Sequence, residues 1–248
     1  MPEAVGRVEA IYRYPVKSMG GERVEVADLG WHGLEGDRRL AFRRIEDRSG
    51  FPWLSASKLP ELLLFTPMRG ANDAPGQLPT QVRTPDGSLM PMFGADLAAE
   101  VERRLGAPVQ MMHLDRGIFD EATLSVIATD TVREIGRLAG RGEDARRFRP
   151  NVLVRLLRPR PFQEDEWVGG VLAFGDGDDS PAIAVTMRDI RCSIVNFDPD
   201  SAAPAPEMLK AVVHVHQNTA GIYGAVTRTG RLSVGQTVFL HPAYARRA

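Results

Sequence analysis

Val8-Glu9-Ala10-Ile11-Tyr12-Arg13-Tyr14-Pro15-Val16-Lys17-Ser18 sets the rhythm of this chain. Successive side chains of a strand point to opposite faces, so the alternation predicts a strand with Val8, Ala10, Tyr12 and Tyr14 on one face. Val24 and Val26 continue the pattern. Leu40 and Phe42 form a third such pair, ending at the turn-rich Asp47-Arg48-Ser49-Gly50. Pro85-Asp86-Gly87-Ser88 predicts a hairpin between two more short strands. Val152-Leu153-Val154 is an apolar strand. Ile183 to Val195 reads as a strand interrupted by charge at Arg188, Asp189 and Arg191, and Ile222 to Leu240 as strands around a hairpin at Thr229-Gly230. Many short strands separated by turn residues predict a mainly β fold, barrel or sandwich.

Helices are fewer. Leu97, Val101 and Leu105 recur at i, i+4 and i+8 with Gly106 as the stop. A second helix runs from about Thr129 through Val132, Ile135 and Leu138, with Thr131 and Glu134 at capping-box spacing. A third starts at Pro206 and includes Met208, Leu209 and Val212. Gly70 to Pro79 reads as a flexible insertion. Gly175-Asp176-Gly177-Asp178-Asp179-Ser180 is an acidic turn without the downstream glutamate of a calcium-binding EF-hand loop.

The 248 residues suffice for a sizeable core in one large or two small domains. A formal charge of −1 argues against nonspecific attraction to nucleic acid. No apolar run approaches the roughly 20 residues of a membrane span, and no signal segment is expected at the N-terminus. A soluble, cytoplasmic setting follows as the expectation. No phosphate-loop or dinucleotide glycine signature is present.

Cys192 is the only cysteine. Most free cysteines are buried and behave as small hydrophobes, but Arg191 beside it favours a thiolate, the form that attacks electrophiles and ligates metals. Lys17 and Ser18 offer a point charge and a hydroxyl where the first strand ends. Gly36-Asp37-Arg38 places a guanidinium at the start of another. Arg147-Phe148-Arg149-Pro150-Asn151 puts a phosphate-matching fork and an amide before an apolar strand, although Arg149 has many acids to pair with instead. His214 and His216 would share a face if Val212 to Val215 were extended, but two histidines are an incomplete zinc site.

Taken in order, Tyr14-Pro15-Val16-Lys17-Ser18, Gly36-Asp37-Arg38, Phe148-Arg149-Pro150-Asn151, Arg191-Cys192, Asp198-Pro199-Asp200, Tyr223-Gly224 and a closing Gly230 to Gly235 hairpin resemble the MOSC family, the molybdenum cofactor sulfurase C-terminal domain proteins. Within it the likeness is greatest to the amidoxime-reducing component. The resemblance implies a MOSC N-terminal β-barrel domain over residues 1–110. A MOSC-type β-barrel with a few peripheral helices follows over 111–248.

It further implies that Cys192 ligates molybdenum as the catalytic centre, while Lys17, Ser18, Arg38, Thr123, Arg149 and Asn151 surround the pterin and phosphate of the molybdenum cofactor. The implied activity is reduction of N-hydroxylated or N-oxide-like small molecules. Because an iron–sulfur cluster needs several thiolates, electrons would come from a separate haem or iron–sulfur protein with its own reductase. The alternative is a cofactor or sulfur carrier using Cys192. This chain has Val195 and Asn196 where the family places small hydroxyl residues, and Ser201-Ala202-Ala203 where it has Thr-Gly.

Overall fold

A computed structural model describes residues 2–70, 77–119 and 121–243. Most of the insertion read at Gly70 to Pro79, residues 71–76, lies outside the described residues. Strands β1 (Glu3–Arg13), β2 (Glu22–Val24), β3 (Val26–Gly30), β4 (Gly33–Leu34), β5 (Leu40–Arg44), β6 (Thr66–Met68), β7 (Gln81–Arg83) and β8 (Leu89–Pro91) precede helix α1 (Ala95–Leu105). Then follow β9 (Val109–His113), β10 (Leu124–Ala128), α2 (Thr129–Leu138), β11 (Val152–Leu156), β12 (Val171–Phe174) and β13 (Ala182–Ile190). The series ends with α3 (Glu207–His216), β14 (Thr219–Arg228), β15 (Gly230–Ser233) and β16 (Thr237–His241).

The largest sheet runs β11-β10-β14-β13-β12-β16-β1 and closes on itself through antiparallel pairing of β1 with β11; β2 extends it from β1. The fold is thus mainly β, with the helices outside the barrel. Side chains fill the lumen, as in other small barrels. Ile11, Val126, Val154, Leu172, Phe174, Ile183 and Ile222 all lie there in one cluster. A second core holds β5, α1 and β9 together around Leu40, Phe42, Leu97 and Val101. A third packs α2 and α3 on the outer barrel wall through Val132, Ile135, Met208 and Val212.

Several expectations change. The register of β1 against β11 shifts between Val8 and Ala10, a bulge that flips the alternation: Val8 and Ile11 face the lumen, whereas Ala10 and Tyr12 join the helix-side core. Thr229-Gly230 is not a hairpin. β14 pairs with β10 and β13, β15 with β3, and β16 with β1 and β12, so the turn hands the chain to another sheet, where Leu232 is buried beside Ala27 and Leu29. The Gly230 to Gly235 stretch is likewise no hairpin, because β15 and β16 do not pair. Another concerns Thr131, whose hydroxyl donates to Glu164 Oε2 (2.9 Å) instead of forming a capping box, while the Ala128 N–H donates to Glu164 Oε1 (3.1 Å). Helix α2 is therefore capped by a wholly buried carboxylate from a distant turn.

The strand read from Ile183 to Val195 ends at Ile190, and Ser193–Asn196 forms a short helical turn, whereas other local signals match the structure. Helix α1 stops at Gly106, whose φ of 76° lets its N–H close on Glu102 O. Strands β7 and β8 pair across the turn at residues 85–88.

Candidate functional site

Successive residues of the barrel strands separate two environments. Val126 of β10 and Ile222 of β14 are paired and face the lumen; their neighbours Ser125 and Tyr223, also paired, face outward onto a cavity of about 440 Å³. The opposite wall comes from the loops after β1 and before β5 and from the turn before β11. Five cationic side chains, Lys17, Arg38, Arg147, Arg149 and Arg191, line the cavity against two carboxylates, Glu121 and Asp189, so the space suits an anion.

The backbone of this wall is unusual. Among the described residues seven non-glycine residues have positive φ, and three of them, Ser18 (66°), Arg38 (51°) and Arg149 (48°), line this one cavity. The left-handed region costs an L-residue roughly 1–2 kcal/mol, and such conformations concentrate where a site is held in a required shape. Here they are held by hydrogen bonds. The Arg38 N–H donates to Tyr14 O (2.7 Å), Lys17 N–H to Leu40 O (2.8 Å), and Arg149 N–H to Arg146 O (3.1 Å).

Tyr14 is the plate on which the two central arginines rest. The Arg149 guanidinium lies 4.2 Å and that of Arg38 5.1 Å from its ring centre. Burial pushes the Tyr14 phenol well above its usual range despite the two cations, so the ring stays neutral. Beneath it Asp37, fully buried, accepts from the Tyr14 N–H (2.7 Å) and pairs with Arg38. Burial disfavours the Arg38 charge, but Asp37, Tyr223 and Tyr14 together prevail and the guanidinium is held more basic than usual. Arg38 also donates to Arg149 O (3.1 Å), and Arg149 to Met19 O (2.7 Å). The Lys17 ammonium lies 5.1 Å from the centre of the Phe51 ring.

Cys192 is exposed on the cavity wall, two residues past the end of β13 and ahead of a short helical turn, Ser193–Asn196. Arg191 beside it turns inward. It donates to Ala220 O (2.7 Å) and Phe148 O (2.8 Å) and pairs with Asp189 (2.8 Å), which also accepts from Ser125 Oγ (2.9 Å). Gly221 makes this approach possible: at φ 78°, an added Cβ would stand 3.2 Å from Arg191 Nη2 and 2.7 Å from Val126 O. Arg191 thus staples the thiol-bearing strand end to the turn that carries Arg149.

Of the residues singled out by sequence, Lys17, Ser18, Arg38, Arg149 and Cys192 border the cavity. Asn151 and Thr123 do not. Asn151 is buried behind Arg38, its Oδ1 accepting from Arg38 Nη1 (3.3 Å) and Ser125 N–H (3.1 Å), its Nδ2 donating to Tyr12 O (3.3 Å). Thr123 donates to Gly224 O (3.4 Å). Arg147, Ser125 and Asp189 were not chosen from sequence yet line the wall. Arg147 is 7% exposed, bonded to Asp198 (2.7 Å), and its buried Nη1 has no partner among the described residues. Its place two residues before Arg149 was the available signal. Burial opposes ionisation of Asp198, but backbone donation from Asp200 and Ser201, the Ser201 hydroxyl and the Arg147 charge prevail and keep its carboxyl below the usual range.

His214 and His216 lie on helix α3, not on a strand, so their side chains diverge by roughly 200°. His216 stacks on Phe162 at 4.0 Å. Among the described residues no group of three or more His, Cys, Asp and Glu could hold a metal.

The sequence matches the MOSC domain over residues 98–239 and the MOSC N-terminal beta barrel domain over residues 5–113; the chain belongs to the MOSC domain family. Its fold is similar to that of the YuaD protein from Bacillus subtilis, at 16% identity, with 98% of this chain and 99% of that chain covered and a TM-score of 0.53. YiiM from Geobacillus stearothermophilus aligns over 48% of this chain and 54% of its own, with 18% identity and a TM-score of 0.38. No curated protein matches the sequence. Among the described residues no helix is long and apolar enough to cross a membrane. Membership in the family suggests a function associated with the molybdenum cofactor.

Proposed function

We propose that this chain is a molybdenum-cofactor-dependent reductase of N-hydroxylated or N-oxide-like small molecules, working in the cytoplasm with electrons from a separate haem or iron–sulfur protein and its reductase. The observation that carries the reading is the cavity itself, where an exposed thiol and five cations share a wall held in shape by three left-handed residues. A soft thiolate suits molybdenum, and guanidinium and ammonium groups suit a phosphate. The residues present therefore fit the cofactor.

When bound, the cofactor supplies two-electron chemistry, in which an N–O bond breaks with uptake of two electrons and two protons and the oxygen leaves as water. The chain's own part is binding and orientation. Lys17, Arg38 and Arg149 would hold the anionic end, with Ser18 as a short-range donor. Asn151 acts one layer back by fixing Arg38, and Thr123 by tying β10 to β14. Cys192 would ligate the metal and tune it, without attacking the substrate.

The test is Cys192→Ser, expressed in a host that makes the cofactor and assayed on an N-hydroxylated substrate with reduced viologen as donor. Reductase activity is expected to vanish while the fold and the bound pterin persist; full activity in the serine variant would overturn the assignment. The second reading, a cofactor or sulfur carrier, rests on the exposure of Cys192. Molybdenum bound to the natural chain without any reductase activity would favour it.

A further inference from the structure

The cavity is chemically divided. Its cations Lys17, Arg38 and Arg149 belong to the loop wall around Tyr14, whereas the stretch bearing Cys192 brings Ile190, Ile194 and Val195 to the same space. Two further cations of the cavity pair with carboxylates. Arg191 pairs with Asp189 at 2.8 Å, and Arg147 with Asp198 at 2.7 Å. An apolar group placed beside the thiol would meet aliphatic surface.

Ile190 is the telling residue. Along β13, Ile183 and Val185 are buried, yet Ile190 is 59% exposed and stands on the cavity wall two residues before Cys192. Ile194 follows two residues after it, half-buried, and Val195 fills in behind. An isolated exposed isoleucine means little. Two that flank the thiol and line one cavity are surface that a ligand can take out of water.

We infer that Ile190 and Ile194 grip the body of the substrate and make the chain selective for N-hydroxylated compounds with an uncharged, apolar or aromatic body over small hydrophilic ones. This rests on the proposed reductase reading. Substrate binding brings the N–O group toward Cys192 while its alkyl or aryl part covers the two isoleucines.

The experiment compares acetamidoxime, benzamidoxime and naphthamidoxime on the cofactor-loaded full chain, on Ile190→Asn and on the conservative Ile190→Val. In the natural chain kcat/KM should rise at least about tenfold from the methyl to the phenyl compound, the scale on which apolar pockets discriminate. Comparing variants cancels the intrinsic reactivity of the substrates. Ile190→Asn should abolish most of the rise, chiefly through KM, while keeping acetamidoxime turnover, and Ile190→Val should keep the rise; if Ile190→Asn loses acetamidoxime turnover as well, Ile190→Thr takes its place in the comparison. A flat series, or an undiminished rise in Ile190→Asn, overturns the inference. If no compound is reduced by the natural chain, the reductase reading fails on its own account. The affinities of the unreactive pair acetamide and benzamide, measured by ligand-observed NMR on the same variants, then decide the inference by the same ratio.

Discussion

The barrel lumen and the cavity on its outer face are built from adjacent residues of the same strands, yet they obey opposite rules. Inside, Val126, Phe174, Ile183 and Ile222 form a dry, filled cluster with side chains almost wholly removed from water. Outside, Ser125 and Tyr223 open onto arginines, a lysine and strained backbone. The lumen is filled by buried apolar side chains that hold the chain folded. The outer face gives up conformational ease to hold cations around one cavity. Stability and binding should therefore separate under mutation.

The largest effect expected is in the lumen. Phe174→Ala removes a fully buried ring and should cost about 3–5 kcal/mol in denaturant unfolding, with little direct effect on ligand affinity. A loss under 1 kcal/mol would mean the lumen is not the tightly packed body described.

Next comes Glu164, the buried cap of α2. Burial raises its carboxyl from 4.5 to about 7, against the hydrogen bonds from Ala128 and Thr131. A folded-state value above the unfolded one means that the folded protein keeps a proton the unfolded chain releases. Its contribution is then full below pH 4.5 and is lost as pH rises through 7, on the order of 3 kcal/mol across that window. Glu164→Gln, permanently neutral, should flatten the stability-versus-pH curve there. An unchanged slope between pH 4.5 and 7 would show that the carboxyl titrates normally.

On the cavity side, Arg149→Ala should lower cofactor occupancy by at least tenfold, as expected from about 1.5–3 kcal/mol for a charge-assisted hydrogen bond. Fluorescence of the oxidised pterin measures it. Unchanged occupancy would move the anion site elsewhere and dissolve the contrast drawn above.

The smallest effect concerns Ala202, which has φ 56° in the loop after Asp198. Ala202→Gly relieves a left-handed alanine but frees the unfolded chain, so a gain of at most about 1 kcal/mol is expected. A measurable loss of thermal stability would show that the methyl group packs usefully in the loop after Asp198.

Legibility followed the range of each interaction. Alternation in β5, the turn between β7 and β8 and the i, i+4 spacing of α1 with Gly106 are local patterns, and each appears in the structure where the sequence put it. Lys17, Arg38, Arg149 and Cys192 were recognisable because their side-chain chemistry is intrinsic. Arg147 was not, since what singles it out is burial and a bond to Asp198, 51 residues away. The shared face that His214 and His216 would have had on an extended Val212 to Val215 does not form, because a run such as Val212-Val213-His214-Val215 satisfies either period and the helix read from Pro206 continues through it, with Met208 and Val212 packed on the barrel.

By itself the sequence determined the mainly β class, the positions of most strands and helices, and the family to which the chain belongs, all carried by short-range periodicity and ordered motifs. Only the tertiary structure decided that β1 closes the barrel through a bulge, that Glu164 caps a helix 36 residues before it, and that residues 17, 38, 149 and 192 share one cavity. Those outcomes depend on pairings between segments far apart in the chain, which local pattern does not encode; they were settled by which surfaces could be buried together.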